Sequence, residues 1–349
     1  MAFAKINDIQ YVGYIKVFFN EVAAITGSAG GLGREIAIDL PQRGCSVAIV
    51  DIQQTLAEQT ADYIADTYNV KTKVYKITGS AGGLGREIAI DLAKRGCRIA
   101  IVDIQQTLAE QTADYIADTY NVKTKAYKVD VSDYEQIIEL RDKVTTDLGD
   151  TTILVNNAAV LFFSKAENPP LEEVKRMINV NISAVCYTTA TFLPKMKELN
   201  RGHIVNISSA SALLSFPSMT VYSATKAAVR HLTWMLRSQL RLLGHNVTVT
   251  TAMPTFLNTN KHVEKLIDIS GIKGASGSSV ARRIVKAMLA GDYEVVIPRS
   301  IKYMYKLLEL LPTYIKEHFL TIVEGNNYKR YITSTKVKEI LEDGTNQCK

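Results

Sequence analysis

The sequence has little cysteine and no histidine pattern of the kind that binds metal. It holds four cysteines and five histidines in 349 residues. Cys45 and Cys97 occupy the same place in a repeated segment, and the four cysteines have neither the spacing of a disulfide framework nor that of a zinc site. The histidines show no metal-ligand spacing. We therefore expect no bound metal and a reducing compartment, which makes the cytoplasm the first expectation for location.

The sequence also lacks a block of one charge and a long apolar run. Its formal charge is +6, but lysine and arginine alternate with aspartate and glutamate along the chain, so we expect no nucleic-acid partner. The apolar stretch from Ile9 to Phe19 is about half as long as a membrane span and contains Lys16. It predicts neither a signal peptide nor an anchor. With 47% hydrophobic residues, the chain can bury a large core.

What the sequence does contain is a near-exact repeat. Residues 25–76 and 77–128 differ at five of 52 positions. Stacked structural repeats accumulate more differences than this and usually need three or more units. The pattern indicates a recent duplication or a gene-model artefact, and both explanations stay open.

Each copy predicts a glycine turn, a helix, a strand, a second helix and a third strand. In the later copy Leu84, Ile88 and Leu92 recur at helical spacing, and Gly96 stands where a C-terminal cap belongs.

Downstream, the apolar runs "TTILVNN", "GHIVNIS" and "NVTVTTAMP" alternate with helical patterns, one of them a helix around Leu171 to Leu199. This alternation is typical of an α/β protein with a doubly wound parallel sheet, the Rossmann fold. We divide the chain into residues 1–76 with the extra α/β unit, a Rossmann domain over 77–300 and a helical extension over 301–349.

The two copies differ around the first strand and the first helix. Lys76 lies in the strand before the second glycine turn, where a central parallel strand is normally apolar. Pro41 lies in the last turn of the first copy's helix. Only the later copy continues directly into the downstream strands, so we expect it to bind the cofactor. The alternative is the earlier copy, with Gly27, Gly31, Gly33 and Asp51.

The glycine turn of the later copy fits a diphosphate. Gly79, Gly83 and Gly85 have the spacing GxxxGxG between a strand and a helix, where backbone N–H groups and the helix N-terminus can bind phosphate. Asp103 ends the next strand and can accept hydrogen bonds from an adenosine ribose while repelling a 2′-phosphate, which predicts NAD over NADP. A tight turn without ligand and a solvated carboxylate are the alternatives.

A tyrosine and a lysine lie one helical turn apart in "YSATK". Tyr222 is the only tyrosine of the sequence with a lysine four residues later, Lys226. A phenol with an ordinary pKa near 10 can transfer protons near neutrality only if a positive charge stabilises the phenolate. Ser209, thirteen residues before the tyrosine, could bind the reacting oxygen. The alternative is a pair of surface side chains without a role.

Together with "NNAA" and "NVN", these motifs occur in the order of the short-chain dehydrogenase/reductase family, which the chain resembles over about residues 77–300. The resemblance implies that Tyr222 is the general acid/base, that Lys226 binds the nicotinamide ribose and lowers the tyrosine pKa, and that Ser209 orients the substrate oxygen. It also implies a proton relay through Asn181. The cofactor site that it predicts consists of Gly79, Ser80, Gly83, Leu84, Gly85, Asp103, Asp130, Val131, Asn157, Tyr222 and Lys226.

The chain departs from the family pattern at two places. Ala159 replaces the usual glycine of Asn-Asn-Ala-Gly, which would cost about 1 kcal/mol if that position has a positive φ. Thr255 replaces the glycine of Pro-Gly, although "PTFLNT" and "VVIPRSIKYMYKLLELLP" resemble the hydroxysteroid and retinol dehydrogenase branch. That branch implies a small lipophilic alcohol or ketone substrate, such as a steroid, a retinoid or a long-chain alcohol. The alternative is an inactive nucleotide-binding or lipid-surface protein whose cofactor seat the duplication disrupts.

The last part of the chain predicts two amphipathic helices. One carries Ile301, Met304, Tyr305, Leu308 and Leu311 and ends at Pro312, and the other carries Ile315, Phe319, Ile322 and Val323. We expect them to pack on the domain or on the partner in a homodimer. Lysines 302, 306 and 316 keep open a peripheral position on the endoplasmic reticulum or a lipid-droplet surface. The stretch from Ser270 to Ser279 predicts a loop near the substrate entrance.

Overall fold

A computed structural model of the chain describes residues 74–162, 169–214, 219–257 and 274–318, and two short strands nearer the N-terminus. The chain divides into two compact units, Met1–Thr72 and Lys73–Lys349. In the first unit, β1 (Ala23–Thr26) pairs in parallel with β2 (Val47–Val50). The predicted glycine turn of the earlier copy, with Gly27, Gly31, Gly33 and Asp51, lies outside the described residues.

The second unit is built on a seven-stranded parallel sheet with the order β5-β4-β3-β6-β7-β8-β9. Its strands are β3 (Val74–Thr78), β4 (Arg98–Asp103), β5 (Thr124–Lys128), β6 (Thr151–Asn156), β7 (Gly202–Ile207), β8 (Val247–Pro254) and β9 (Glu294–Ile297). The strand order reverses between β3 and β6, which lie side by side in the centre. This is the doubly wound α/β fold that the sequence predicted, and such sheets bind ligands beyond the strand ends at the point of reversal.

Helices follow most of the strands. They are α1 (Gly83–Ala93), α2 (Gln106–Tyr120), α3 (Tyr134–Leu148), α4 (Leu171–Ile178), α5 (Ala184–Glu198), α6 (Thr220–Leu242), α7 (Gly277–Leu289) and α8 (Arg299–Glu309). The predicted spacing of Leu84, Ile88 and Leu92 on α1 is confirmed, because all three are buried. Gly96 follows this helix with a φ of 72°, a conformation that glycine adopts without strain.

Two apolar clusters cover the two faces of the sheet. Along β4, Ile99 and Ile101 belong to one cluster, whereas Ala100 and Val102 belong to the other, as the alternation of side chains in a strand requires. Burying both faces needs nearly continuous apolar strands, and β4 and β6 have them.

Lys76 is the exception to this apolar pattern. It lies in β3 opposite Ala100 on one side and Leu154 on the other, and its side chain is fully buried. The corresponding residue in β1 is Ala24, which pairs with Ala48 in the register that Lys76 and Ala100 have in the main sheet. The sequence correctly predicted that a lysine would enter a strand covered on both faces.

The helix expected around Leu171 to Leu199 is confirmed, and it contains a π-helical turn, Asn179–Ser183, between α4 and α5. One sequence prediction needs correction. The loop expected from Ser270 to Ser279 ends earlier, since α7 begins at Gly277, and residues 270–273 of the predicted loop lie outside the described residues. Of the second C-terminal helix, Phe319, Ile322 and Val323 lie outside as well. Within the described ranges, no helix has both the length and the apolar character that a membrane span requires.

Candidate functional site

A cavity of about 340 Å³ opens at the carboxyl ends of the central strands. Five of the predicted site residues line it: Leu84, Asn157, Ser209, Tyr222 and Lys226. They come from four different places in the chain, namely the start of α1, the ends of β6 and β7 and the first two turns of α6. The parallel sheet brings them together because the strand ends meet at one edge.

The glycine turn between β3 and α1 comes from the later copy of the repeat. Gly79 and Gly83 have φ values of 61° and 54°, which favour glycine. A Cβ atom added to Gly85 would lie 2.2 Å from the Gly79 carbonyl oxygen and 2.7 Å from Nδ2 of Asn157. A side chain is therefore excluded at Gly85, and Gly79 and Gly83 have the backbone conformation of glycine. The residues present fit a dinucleotide, because a glycine turn before a helix N-terminus can bind a diphosphate through its backbone N–H groups.

Polar side chains hold the turn in place. One carboxylate oxygen of Asp103 accepts from the Ala81 N–H at 3.1 Å and the other from the Gln105 N–H at 3.1 Å. The Ser80 hydroxyl is fully buried, donates to the Ile77 carbonyl at 2.8 Å and accepts from the Val102 N–H at 2.9 Å. Asp103 thus lies beside the turn and binds its backbone, and its ribose contact stays a prediction, whereas the Ser80 hydroxyl is used within the protein.

Asn157 connects the turn to the neighbouring strand. Its Nδ2 donates to the carbonyls of Thr78 at 3.1 Å and Gly79 at 3.0 Å, and its backbone N–H donates to Oγ1 of Thr78 at 2.9 Å. Thr78 is a residue that the sequence analysis missed, because its contact with Asn157 joins residues 79 positions apart. These bonds connect the ends of β3 and β6, at the point where the strand order reverses.

Tyr222 and Lys226 lie on the same side of α6, as their spacing predicted. The Lys226 Nζ atom is 5.6 Å from the centre of the Tyr222 ring and donates to the Ile207 carbonyl at 3.0 Å. The Ser208 hydroxyl donates to the Lys226 carbonyl at 2.7 Å, which ties this turn of the helix to the end of β7. Ser209 hydrogen-bonds the Tyr222 phenol, so the three side chains form one group at the cavity wall.

Burial dominates the electrostatics of this group. It raises the pKa of Tyr222 to about 12, and the hydrogen bond to Ser209 offsets only part of the rise. Burial also lowers the pKa of Lys226 to about 8, and the Lys226 Nζ atom faces the Ile207 carbonyl. That Lys226 lowers the tyrosine pKa stays a prediction.

The other predicted residues lie around the cavity rather than on it. Asn181 is buried in the π-helical turn, and its side-chain amide bonds to Val160 and Thr225. Asp130 follows β5 and accepts from the Ser132 N–H at 2.9 Å and hydroxyl at 2.7 Å, and Val131 is buried next to it. Both stand at the strand edge that the turn shares, where the adenine end of a dinucleotide would extend.

Ala159, the departure from the family pattern, carries no backbone strain. Among the described residues, the only ones other than glycine with a positive φ are Asn121 and Asn200. The conditional cost of about 1 kcal/mol for an alanine here does not arise. The Ala159 methyl group is exposed and lines the cavity, so the replacement narrows the cavity without straining the chain.

The remaining wall of the cavity is apolar. Two of its residues, Ile301 and Met304, come from α8, so the predicted apolar face of this helix packs toward the site, and Leu308 on the same face is buried. Helical spacing predicted that these residues pack on the domain, but it carries no information on the cavity that they line. The apolar side chains of the wall are Leu161, Leu214, Met219, Phe256, Leu257, Ile301 and Met304.

A doubly wound sheet with a glycine turn, an acidic second strand end and a Ser-Tyr-Lys group defines the class of nicotinamide-dependent oxidoreductases acting on CH–OH groups. Comparison with known proteins agrees. A family model described as short chain dehydrogenase matches residues 21–76 and again 73–268. The chain belongs to the short chain dehydrogenase family.

Curated relatives and solved structures resemble the chain over half to three quarters of its length. It is 30% identical to estradiol 17-beta-dehydrogenase 11 of Pongo abelii over 265 residues, which cover 73% of this chain and 83% of the relative. It is 34% identical to the very-long-chain 3-oxoacyl-CoA reductase of Rattus norvegicus over 189 residues, 52% of this chain, and spans 59% of that relative. A short chain dehydrogenase/reductase from Burkholderia phymatum, solved in complex with NAD, superposes with a TM-score of 0.64 at 25% identity, covering 68% of this chain and 93% of that one.

Proposed function

We propose that the chain is an NAD-dependent dehydrogenase or reductase that interconverts a lipophilic secondary alcohol and its ketone. The observation that carries the proposal is the group of Ser209, Tyr222 and Lys226 on the wall of an apolar cavity, next to a turn rich in glycine. Both relatives named above are, by name, a dehydrogenase and a reductase of lipophilic compounds, which supports the substrate class.

The chemistry follows from the positions of the three side chains. NAD, when bound, supplies the hydride acceptor and a positively charged ring. In the oxidation direction, Ser209 hydrogen-bonds the substrate oxygen and Tyr222 accepts the proton of its hydroxyl group. Lys226 is largely protonated at neutral pH, because its pKa is about 8, so its charge can stabilise the phenolate. In the reduction direction, Tyr222 donates the proton.

Which residues hold the cofactor is also part of the proposal. The turn from Gly79 to Gly85 would bind the diphosphate, and Asp103 would bind the adenosine ribose and disfavour a 2′-phosphate. Asp130 and Val131 would contact the adenine, with Asn157 and Leu84 beside the nicotinamide end. We assign this role to the later copy of the repeat, because its turn adjoins the cavity.

Two partners belong to the proposal. Leu232, Trp234 and Met235 are exposed on α6, and we assign this surface to a second copy of the chain in a homodimer. On α8, Tyr303, Leu307 and Leu310 are exposed in a stripe at helical spacing beside Lys302 and Lys306, a combination typical of helices that bind anionic lipid surfaces. Light scattering tests the first assignment, and flotation with vesicles containing phosphatidylserine tests the second.

Two measurements on purified protein test the function. Titration with NADH should give the fluorescence increase of a bound nicotinamide, and a panel of a steroid alcohol, retinol and a long-chain secondary alcohol should give turnover with at least one member. The competing hypothesis is a nucleotide-binding or lipid-surface protein without activity. Binding of NADH with no turnover across the panel in either direction would favour that competitor.

A further inference from the structure

Thr225, near the N-terminal end of α6, carries a buried hydroxyl group that has no part in the proposed chemistry. Thr225 is 2% exposed and lies three residues after Tyr222. Its Oγ1 donates to the Tyr222 carbonyl at 2.7 Å and accepts from Nδ2 of Asn181 at 3.0 Å. A single side chain therefore contacts both the backbone of the predicted acid/base residue and the side chain of the predicted relay residue.

The side-chain amide of Asn181 uses its hydrogen-bonding groups within the protein. Besides Thr225, its Nδ2 donates to the Val160 carbonyl at 3.0 Å, and its Oδ1 accepts from the Val160 N–H at 2.8 Å. Both amide hydrogens are used, and Asn181 is 1% exposed. The side chain thus connects the loop after β6, three residues beyond Asn157, to the start of α6.

The bond from Thr225 to the Tyr222 carbonyl joins a side chain to the backbone of the same helical turn. A threonine that donates to a carbonyl one turn back often bends a helix, so the presence of this bond influences the local direction of the turn. The Tyr222 phenol lies at the far end of a long side chain, so a small rotation of this turn displaces its oxygen. A displacement of about 1 Å can cost a reaction about a hundredfold in rate.

We propose that Thr225 is a positioning residue: together with Asn181 it forms a clamp that fixes the first turn of α6 and, with it, the Tyr222 hydroxyl. The clamp acts through Tyr222 and touches neither substrate nor cofactor. It assigns the Asn181 side chain to holding the helix. The proposal rests on the proposed function for its kinetic consequences, although the clamp itself is a matter of structure.

The experiment compares Thr225→Val, which removes the hydroxyl and keeps the shape, with Thr225→Ser, which keeps the hydroxyl. We expect Thr225→Val to lower kcat about tenfold or more, with KM and NADH affinity within about twofold, and Thr225→Ser to recover most of the loss. Asn181→Ala should give a similar loss, and the double variant Asn181→Ala/Thr225→Val should fall little further, because the two residues act as one unit.

A matched control separates positioning from general stability. Thr191 is a buried threonine of α5 that donates to the Tyr187 carbonyl at 2.8 Å, and it is not among the described residues that line the cavity. Thr191→Val should lower the melting temperature about as much as Thr225→Val and leave kcat within about twofold. If the serine variant is as impaired as the valine variant, or if Thr191→Val lowers kcat equally, the clamp hypothesis is wrong.

Amide hydrogen exchange measures the stability of the first turns of α6 independently of catalysis. In Thr225→Val, the amides of residues 219–227 should exchange about tenfold faster than in the parent, and Thr225→Ser should restore their protection. If the parent protein shows no turnover, the proposed function fails while this exchange result still decides on the clamp. Unchanged exchange and unchanged kcat in Thr225→Val would overturn it.

Discussion

The buried lysine of the central strand gives the sharpest prediction about stability. Lys76 lies between Ala100 and Leu154, and its Nζ is 4.0 Å from the centre of the Phe192 ring. Within the described part of the chain, this nitrogen has no hydrogen-bond partner. Burial lowers the pKa of Lys76 from 10.5 to about 7, because the apolar surroundings disfavour the charged form.

The sign of the pH dependence follows from the two pKa values. Between about pH 7 and pH 10.5 the unfolded chain keeps a proton on Lys76 that the folded chain has lost, so stability rises with pH across this window. The difference of about 3.5 between the pKa values, at about 1.4 kcal/mol per unit, amounts to about 5 kcal/mol. The contact of the ammonium group with the Phe192 ring stabilises the charged form by up to about 2 kcal/mol, which is less than the desolvation cost. At pH 6.5, burial of the charged Lys76 therefore lowers the free energy of unfolding by about 3 to 5 kcal/mol.

Lys76→Met removes the charge and keeps an unbranched side chain of similar length. We expect it to raise the free energy of unfolding by about 3 to 5 kcal/mol at pH 6.5, with a gain that shrinks toward pH 10. Urea unfolding at pH 6.5, 8 and 9.5 measures this. The control is Lys128→Met, the equivalent position in the second copy, which is exposed at the end of β5 and should change stability by less than about 0.5 kcal/mol.

A methionine variant that is no more stable than the parent at pH 6.5 would show that the buried charge of Lys76 has no such cost. A gain in stability that stays constant with pH would show the same, because packing alone could explain it. Lys226, whose pKa is about 8, adds to the pH dependence of every variant, so it cancels when each variant is compared with the parent.

Three further predictions concern the cofactor seat and the repeat. Gly85→Ala should weaken NADH binding at least tenfold, because its Cβ would lie 2.2 Å from the Gly79 carbonyl oxygen; fluorescence titration measures this, and unchanged affinity would contradict the assignment of the turn. Asp103→Ala should lower the preference for NAD over NADP at least tenfold in kcat/KM, and an unchanged ratio would remove Asp103 from the ribose site. Deletion of residues 25–76 joins Ala24 to Ile77 and so places an alanine at the position of Lys76. We expect NADH affinity to stay within about threefold and the melting temperature to rise. Loss of NADH binding would show that the earlier copy holds the cofactor.

Local patterns were sufficient to predict the elements that a single segment determines. The alternation of strands and helices, the helical spacing of Leu84, Ile88 and Leu92, and the shared side of Tyr222 and Lys226 all follow from spacing along the chain. The lysine in the central strand was also visible, because an apolar run of four or five residues makes one charge conspicuous.

Contacts between distant segments could not be predicted in this way. Nothing in the spacing of Asn181 indicates that its amide binds Val160 and Thr225, or that the helix around it contains a π-helical turn. The same limit applies to electrostatics. The distance from Tyr222 to Lys226 along the helix indicated proximity, but only the surroundings show that Lys226 faces the Ile207 carbonyl and that burial raises the phenol pKa.

The measurement that tests the account most directly is turnover by Tyr222→Phe, which removes one oxygen atom and leaves the ring in place. With the substrate that the parent enzyme oxidises fastest, the account predicts a fall in kcat of at least a hundredfold with NADH affinity within about threefold, because the ring no longer carries a proton-transferring group. A variant that turns over at the parent rate would contradict the central claim that this phenol transfers the proton.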